Sequence, residues 1–555
     1  MVALLCGVVT PAVAAPPPPN AIQRENALAG ATDWQRQVGG DIQVYGTQIA
    51  GAPGDAIDLH VSTAYGYRVV VYRLGWYGGA GARQEACLPS CTGDEQGVLQ
   101  TIATGARLAA DDPPIRADWP VTDTVHTAPD WVSGYYLVEA LLTNGPNAGR
   151  VATTFFVLHE APQPVGSRIL VQVPVNTWEA YNAWGGRSLY DFVAPPMHRV
   201  SFERPFGEFA QSPFWWEIQL VRFLEREGYD VSYQTDVDTD ADPASLLRHR
   251  LVIDAGHDEY WTMAMRQAWG TALADGTNLA FMGSNDAYWH IEYQDGRQTI
   301  FGWKSAYDPN PVVAQKTMLW RDLGLPECML EGVEHQGLYA LSHPLDYTVT
   351  PAGAADPWLA GTGLTAGSTI AGVVGREHDG QTCDIPNRVD LFHYDGLGVD
   401  LNGDAVRWTA PSGARVFSSG AQMFSWALDD WRSDGTIAPT VAVGSDRVAP
   451  ADPRVQQFMR NALADLQRPP PPSGLAVQST AGRLVVSIAA PLDPRAQGFA
   501  AAAQTPAGWR RLCHGTTTCA VRLRRPLPAG PIVVGVVALD DWHDRSAPAF
   551  ATLQR

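Results

Sequence analysis

Hydrophobic and polar positions change rhythm along this chain, and each rhythm predicts different elements. From about residue 40 to 160 the period is two. Ile57, Leu59 and Val61 alternate with polar neighbours, Tyr67–Arg73 is β-branched and aromatic, and Val151–Leu158 is a further run of this kind. Gly-Ala-Pro-Gly at 51–54 and Gly-Gly-Ala-Gly at 78–81 mark turns between them. Short strands between turn signals, with no helical period, predict a β-sandwich, and we place an N-terminal Ig-like β-sandwich at 25–161.

After Pro162-Gln163-Pro164 the rhythm changes. Arg168–Val175 is a continuous apolar strand, of the kind buried in a parallel sheet. Ser212-Pro213 opens a helix carrying Phe214, Ile218, Val221 and Leu224 or Glu225 at helical spacing. Strands follow at Tyr229–Tyr233, Arg250–Asp254 and Asn278–Met282, with a helix at Trp261–Ala274. A late strand, Ala414–Ser418, returns to the same sheet. A last helix begins at Asp452-Pro453, with Val455, Phe458, Met459, Ala462, Leu463 and Leu466 as its apolar stripe. This alternation predicts a central doubly wound α/β domain at 162–468, of flavodoxin or glutamine-amidotransferase type. The proline run at 469–472 is a stiff linker. Strands at Leu484–Ile488 and Pro531–Leu539 then predict a small accessory β-sandwich at 474–555. The whole is an α/β and β multidomain chain.

The two ends of the chain bear on compartment. Residues 1–15 are an apolar stretch closing on Ala-Val-Ala, the form of a secretory signal peptide without its basic start, followed by a Pro16–Pro19 spacer. Cys6 does not make a lipoprotein signal, because Leu5 precedes it. No later apolar run reaches the roughly 20 residues that span a bilayer. We expect a secreted, extracellular protein with no membrane span. Its remaining cysteines, Cys87, Cys91, Cys328, Cys383, Cys513 and Cys519, are even in number and fit disulfides. The simplest pairing is Cys87–Cys91, Cys513–Cys519 and Cys328–Cys383. A zinc site is the weaker alternative, since no Cys-x-x-Cys occurs.

Charge narrows the partners. With 39 Lys+Arg against 58 Asp+Glu the net charge is −19, which argues against nucleic acid and against an anionic membrane surface. Lysine occurs only at 304 and 316. Tryptophan is frequent, 19 residues, and such rings pack cores or line clefts.

In an open α/β sheet, ligands bind beyond the carboxyl ends of the strands. Three segments sit there: Val175–Asn182, Asp254–Trp261 and Met282–Trp289. All carry aromatic and polar groups directly after a strand. No Gly-x-Ser-x-Gly elbow, His-Glu-x-x-His pair or cysteine after the third strand is present, so a metal or an acid/base pair is favoured over a Ser or Cys nucleophile. The run Asp236, Asp238, Asp240, Asp242 fails the EF-hand pattern at Ala241 and Leu247 and reads as a solvated acidic loop or a helix cap.

Taken together, Arg73-Leu-Gly-Trp-Tyr-Gly-Gly79, Trp178-Glu-Ala-Tyr-Asn182, Gly256-His-Asp-Glu-Tyr-Trp261 and Met282-Gly-Ser-Asn285 resemble the large (beta) subunit of N,N-dimethylformamidase and its secreted relatives, over roughly residues 40–465. The resemblance implies a hydrolase of non-peptide amide C–N bonds with a mononuclear Fe(III) held by two tyrosines and one glutamate. By motif these would be Glu259, Tyr181 and a tyrosine of the pair Tyr135–Tyr136, taken as Tyr136, since strand alternation turns only one of the two inward and does not say which. His257 and Asp258 would transfer or orient protons, and Asn285 would donate to the substrate or oxyanion. Trp178, Asn182, Tyr260 and Tyr288 would line a small-molecule amide site. No small partner subunit is evident, and homo-oligomerisation is left open. The alternative from another class is a non-catalytic extracellular glycan or cell-wall binding protein. A third reading, a glycan-directed enzyme, would pair Glu259 with Asp254, Asp258 or Asp286.

Overall fold

The computed structural model describes the chain except residues 1–17, 102–113, 162, 164, 191–196, 208, 305–306, 339–344, 397–401, 433–449, 481–482, 491–492, 494, 507, 523–530 and 554–555. The expected signal peptide therefore lies outside the described residues. The protein is β-rich and multidomain, and no described helix is long and apolar enough to cross a membrane.

The first strands are β1 (Ile42–Gly46), β2 (Ala56–Thr63), β3 (Gly66–Leu74), β4 (Ala82–Leu88), β5 (Asp123–His126), β6 (Gly134–Leu142) and β7 (Val151–Leu158). They form two facing sheets, ordered β1-β2-β5 and β7-β6-β3-β4. Val44, Leu59, Val69, Val71, Val138 and Phe156 fill the space between them. The outer face of the larger sheet is covered too. Val70, Tyr72, Leu137 and Phe155 pack into the core of the next domain. That is why β7 is buried at every position instead of alternating.

Among the described residues the central sheet has nine strands. β8 (Ile169–Val173), β9 (Val231–Thr235), β10 (Leu251–Gly256), β11 (Asn278–Gly283) and a late strand, β16 (Arg415–Ser418), are parallel, in spatial order β9-β8-β10-β11-β16. Period-two alternation sends Val171, Ile253 and Ala280 to one face and Leu170, Val252 and Leu279 to the other. Helix α1 (Val175–Tyr181) follows β8, and α2 (Ile218–Arg226) precedes β9. The latter packs with α4 (Pro453–Leu466) over the first face, while α3 (Met263–Ala274) covers the second. The stripe expected for α4 is buried residue for residue, and Asp452 caps the helix ahead of Pro453.

Several expectations are corrected. The sheet continues past β16 through antiparallel strands β15 (Gly403–Thr409), β14 (Val389–Tyr394), β12 (Leu345–Val349) and β13 (Thr369–Val374). These are short and two of their pairings are bulged, so they carry little periodic signal. The helix opened at Pro213 breaks at Glu217 into Pro213–Trp216 and α2. The acidic run is not a solvated loop. Thr235 and Asp238 form a capping box and Asp236–Ala241 is helical, with Asp236 buried and accepting the Asn176 N–H at 2.8 Å.

At the C-terminus, β17 (Ala476–Thr480), β18 (Arg483–Ser487) and β21 (Thr518–Arg522) face a sheet ordered β20-β19-β22-β23, from β19 (Ala496–Thr505), β20 (Gly508–Gly515), β22 (Ile532–Asp540) and β23 (Ala549–Leu553). Leu484, Val486, Phe499, Val534 and Val536 form its core. This unit is clamped to the amino end of β10. Buried Arg250 donates to Asp540 at 2.9 Å and to Asp493, under the ring of Trp542. Disulfides join Cys87–Cys91, Cys328–Cys383 and Cys513–Cys519. The zinc alternative falls with them.

Candidate functional site

The carboxyl ends of β8, β10 and β11 bring the three strand-end segments together. Their approach depends on glycine. A Cβ on Gly283 would lie 1.5 Å from the carbonyl oxygen of Gly256, so the ends of β10 and β11 meet only because residue 283 has no side chain. Just beyond, Asn285 and Ala287 hold positive φ of 57° and 44°, backbone strain concentrated at the turn.

Glu259 is the centre of the cluster and is 1% exposed. Its Oε2 accepts from the phenol of Tyr190 at 2.8 Å and from that of Tyr181 at 3.2 Å. Its Oε1 accepts from the Lys304 ammonium. Tyr260 donates to the Tyr190 oxygen at 2.6 Å. His257 Nε2 faces Glu259 at 3.5 Å and Glu377 at 3.6 Å, while its Nδ1–H is spent on the Ser284 carbonyl at 3.1 Å. Glu377 is itself held by Asn285 at 2.8 Å and Gln422 at 3.0 Å. Four aromatic rings surround the lysine ammonium, with Trp289 nearest at 4.5 Å and Tyr190, Tyr260 and Tyr288 at 5.1–5.4 Å.

The electrostatics follow from this packing. Burial alone would raise the Glu259 carboxyl, but Lys304 and His257 outweigh it and hold the group well below the usual carboxylate range. Burial alone would lower His257, but Glu377 and Glu259 push it up to about 9. The phenols of Tyr181, Tyr190 and Tyr260 go far up, first through burial and then through the Glu259 charge. In this state the phenols keep their protons, and the negative charge rests on the carboxylate.

The structure separates the other expected residues. Tyr136 is corrected. It lies in the N-terminal sandwich core, stacked between Trp131 and Phe156, and donates to the Val132 carbonyl at 2.7 Å. Tyr135 points the other way, against Trp178 and Tyr233, and does not reach Glu259 either. Asp258 turns beneath the sheet ends, accepting from Gln172 at 2.7 Å beside Asp254 and Asp236. Burial and mutual repulsion raise both of those neighbours far above the carboxylate range, so they belong to a proton-holding core and not to a cleft. Asp286 accepts the Asp258 N–H at 2.9 Å. Trp178 is core, 1% exposed, with its indole directed at Glu217. Asn182 spends its side chain on Glu179, Pro205, Trp184 and Gly207, fixing the turn after α1. Asn285 holds Glu377 instead of facing an open space. Tyr260 and Tyr288 do stand at the cluster.

Three members were not foreseen. Tyr190 sits in a loop without periodicity, so no pattern marks it. Glu377 comes from a short strand, Glu377–Gly380, that had no alternating signal. Lys304 did leave a trace, as one of two lysines in a chain that otherwise uses arginine.

Comparison with known proteins supplies the remaining finding. A family model for N,N-dimethylformamidase beta subunit-like proteins, C-terminal part, matches residues 68–437, two thirds of the chain. The N,N-dimethylformamidase beta subunit of an Alcaligenes species is 32% identical over 98 residues, which cover 18% of this chain and 12% of that protein. The corresponding subunit of Paracoccus aminophilus is 32% identical over 97 residues, covering 17% and 12%. The chain thus aligns with about an eighth of each relative's length. Among solved structures, the spore cortex lytic enzyme SleM of Clostridium perfringens is 21% identical over 17% of this chain and 31% of its own, at a TM-score of 0.15.

Proposed function

The chain belongs to the N,N-dimethylformamidase beta subunit-like family, and from that premise we propose that it is a secreted hydrolase of a small-molecule amide C–N bond, with iron held by Tyr181, Tyr190 and Glu259. One observation carries this reading: two phenol oxygens converge on one buried carboxylate oxygen. Three hard oxygen donors, anionic once the phenols ionise, suit Fe(III) better than a softer metal. Burial beside a carboxylate keeps the phenol protons in place, so only a strong Lewis acid removes them near neutral pH. An ammonium already rests against the same carboxylate, which marks the point as one that draws a cation. Relative to the ligand set expected by resemblance, Tyr190 takes the place of Tyr136.

Bound iron would supply Lewis acidity, polarising a carbonyl oxygen and lowering the pKa of a coordinated water. The chain's own residues do the rest. His257, tied through Nδ1 to Ser284, presents only Nε2 to the site, so Nε2 is the atom that gives or takes a proton. Glu377 sets its proton affinity from the far side. Tyr260, Tyr288 and Trp289 form ring-faced walls that limit bulk water and suit a small, weakly polar amide. The strand order β9-β8-β10-β11-β16 supports a flavodoxin-like central domain, and the three disulfides support export.

The test is metal analysis and an absorption spectrum of protein made with ample iron, together with hydrolysis of N,N-dimethylformamide and related small amides. We expect about one iron per chain, a visible tyrosinate-to-iron band, and loss of both in Glu259→Gln with the fold retained. Protein that takes up no iron under these conditions would falsify the metal assignment.

A further inference from the structure

The outer face of the C-terminal sandwich carries a groove that the reading above does not use. It lies on the four-stranded sheet and has a volume of about 410 Å³. Its floor is made by small residues on the two middle strands, Ala500 and Ala502 on β19 and Gly535 on β22. The register explains its shape. Arg511, Ala502, Gly535 and Phe550 are direct cross-strand neighbours in one row from β20 to β23. Large residues therefore stand on the outer strands and small ones between, which leaves a trough along the strands.

Two rings rise at this trough. Trp509 is 51% exposed and Phe550 58%, with centroids 5.9 Å apart and planes tilted by 32°. Both lean over Gly535, where a Cβ would meet Phe550 at 3.1 Å and Trp509 at 3.2 Å. Rings this large are normally buried, and a pair held open to water on a folded sheet is the signature of a contact surface.

Charge decides what the surface fits. The chain carries −19 overall, yet among the described residues no Asp or Glu lines this groove. Arg511, His514 and Arg545 do, and all three are exposed. Arg545 makes no ion pair among the described residues. Guanidinium forks match carboxylates bidentately, and ring faces stack on the C–H faces of pyranoses. The floor strands β19 and β22 are each hydrogen-bonded on both sides, so an extended peptide would find no free backbone edge to join.

We propose that this groove is a binding site for a carboxylate-bearing polysaccharide, a chain of uronic-acid type, and that the C-terminal sandwich anchors the protein to it. The proposal does not depend on the chemistry at Glu259. The experiment uses the full chain, with polygalacturonate as probe, neutral dextran, dextran sulfate and poly-glutamate as comparators, and affinity electrophoresis or calorimetry as readout. Polygalacturonate is expected to bind, with dextran far weaker. Trp509→Ala and Arg545→Gln should each weaken binding about tenfold, at an unchanged thermal midpoint. Added salt should remove the Arg545 effect and spare that of Trp509. No binding to polygalacturonate, or binding unaltered in both variants, would overturn the proposal. Equal binding of dextran would overturn the charge argument, equal binding of dextran sulfate the carboxylate assignment, and equal binding of poly-glutamate the glycan itself.

Discussion

At the scale of single residues, the cluster around Glu259 is a charge balance. One buried carboxylate is held ionised by an ammonium and an imidazolium, and two phenols complete its hydrogen bonds. Lys304→Met removes the nearer cation. A buried carboxylate left short of a partner costs about 3 kcal/mol or more, and we expect metal-free protein to lose that much in chemical denaturation. Iron should restore most of the loss, because a bound cation replaces the missing charge. An equal loss with and without iron would contradict this. His249 tests a different balance. It is buried against the Ser167 carbonyl, and its pKa falls from 6.5 to about 3, mainly through burial. The unfolded chain takes up this proton first as pH falls. Stability attributable to His249 is therefore lost from about pH 6.5 downward, at up to about 1.4 kcal/mol per pH unit. His249→Asn should flatten the stability profile between pH 6.5 and 4 relative to the parent, whatever it costs at pH 8.

At the scale of elements, the parallel strands were legible and their antiparallel continuation was not. β8, β10 and β11 are covered on both faces, so they appear in the sequence as nearly continuous apolar runs. β12 and β13 are half exposed and bulged, so neither period survives in them. The same physics governed the site. Glu259 was found because it directly follows a recognisable strand, whereas Tyr190 reaches it from an aperiodic loop. Tyr136 misled because strand alternation says that two neighbours face opposite ways, but not what lies on either side. Here the sandwich core lies on one side and the central domain on the other. The junction of β10 and β11 gives the sharpest prediction at this scale. Gly283→Ala drives a methyl into the Gly256 carbonyl, and the two strand ends must part. We expect poorly soluble protein, or a folded one that has lost the site. Parent-like iron content and stability would show that this approach is looser than described.

At the scale of the whole molecule, buried ion pairs fix the domains to one another. Arg73 of β3 forks onto Glu225 of α2 at 2.8 and 3.0 Å, and a Cβ at Gly75 would come within 2.3 Å of that carboxylate, so a side chain there would have to displace it. The Arg73–Gly79 motif is thus a joint between domains and not part of the cleft. Arg250 plays the matching part at the junction with the C-terminal sandwich. Arg250→Met leaves buried Asp540 without an ion pair and Asp493 with Arg495 alone, and should cost about 3 kcal/mol. Adding Asp540→Asn should recover part of it, read from denaturant midpoints. A single-variant loss below 1 kcal/mol would mean that the clamp is decorative.

The Arg250 clamp also has a consequence in time. Residue 250 is translated long before either acid that neutralises it, at 493 and 540. Until they arrive, the guanidinium at the base of the central sheet lacks the two carboxylates that pair with it in the folded chain. Both acids come from the C-terminal sandwich, so docking of that unit is the step that neutralises the base of the central sheet.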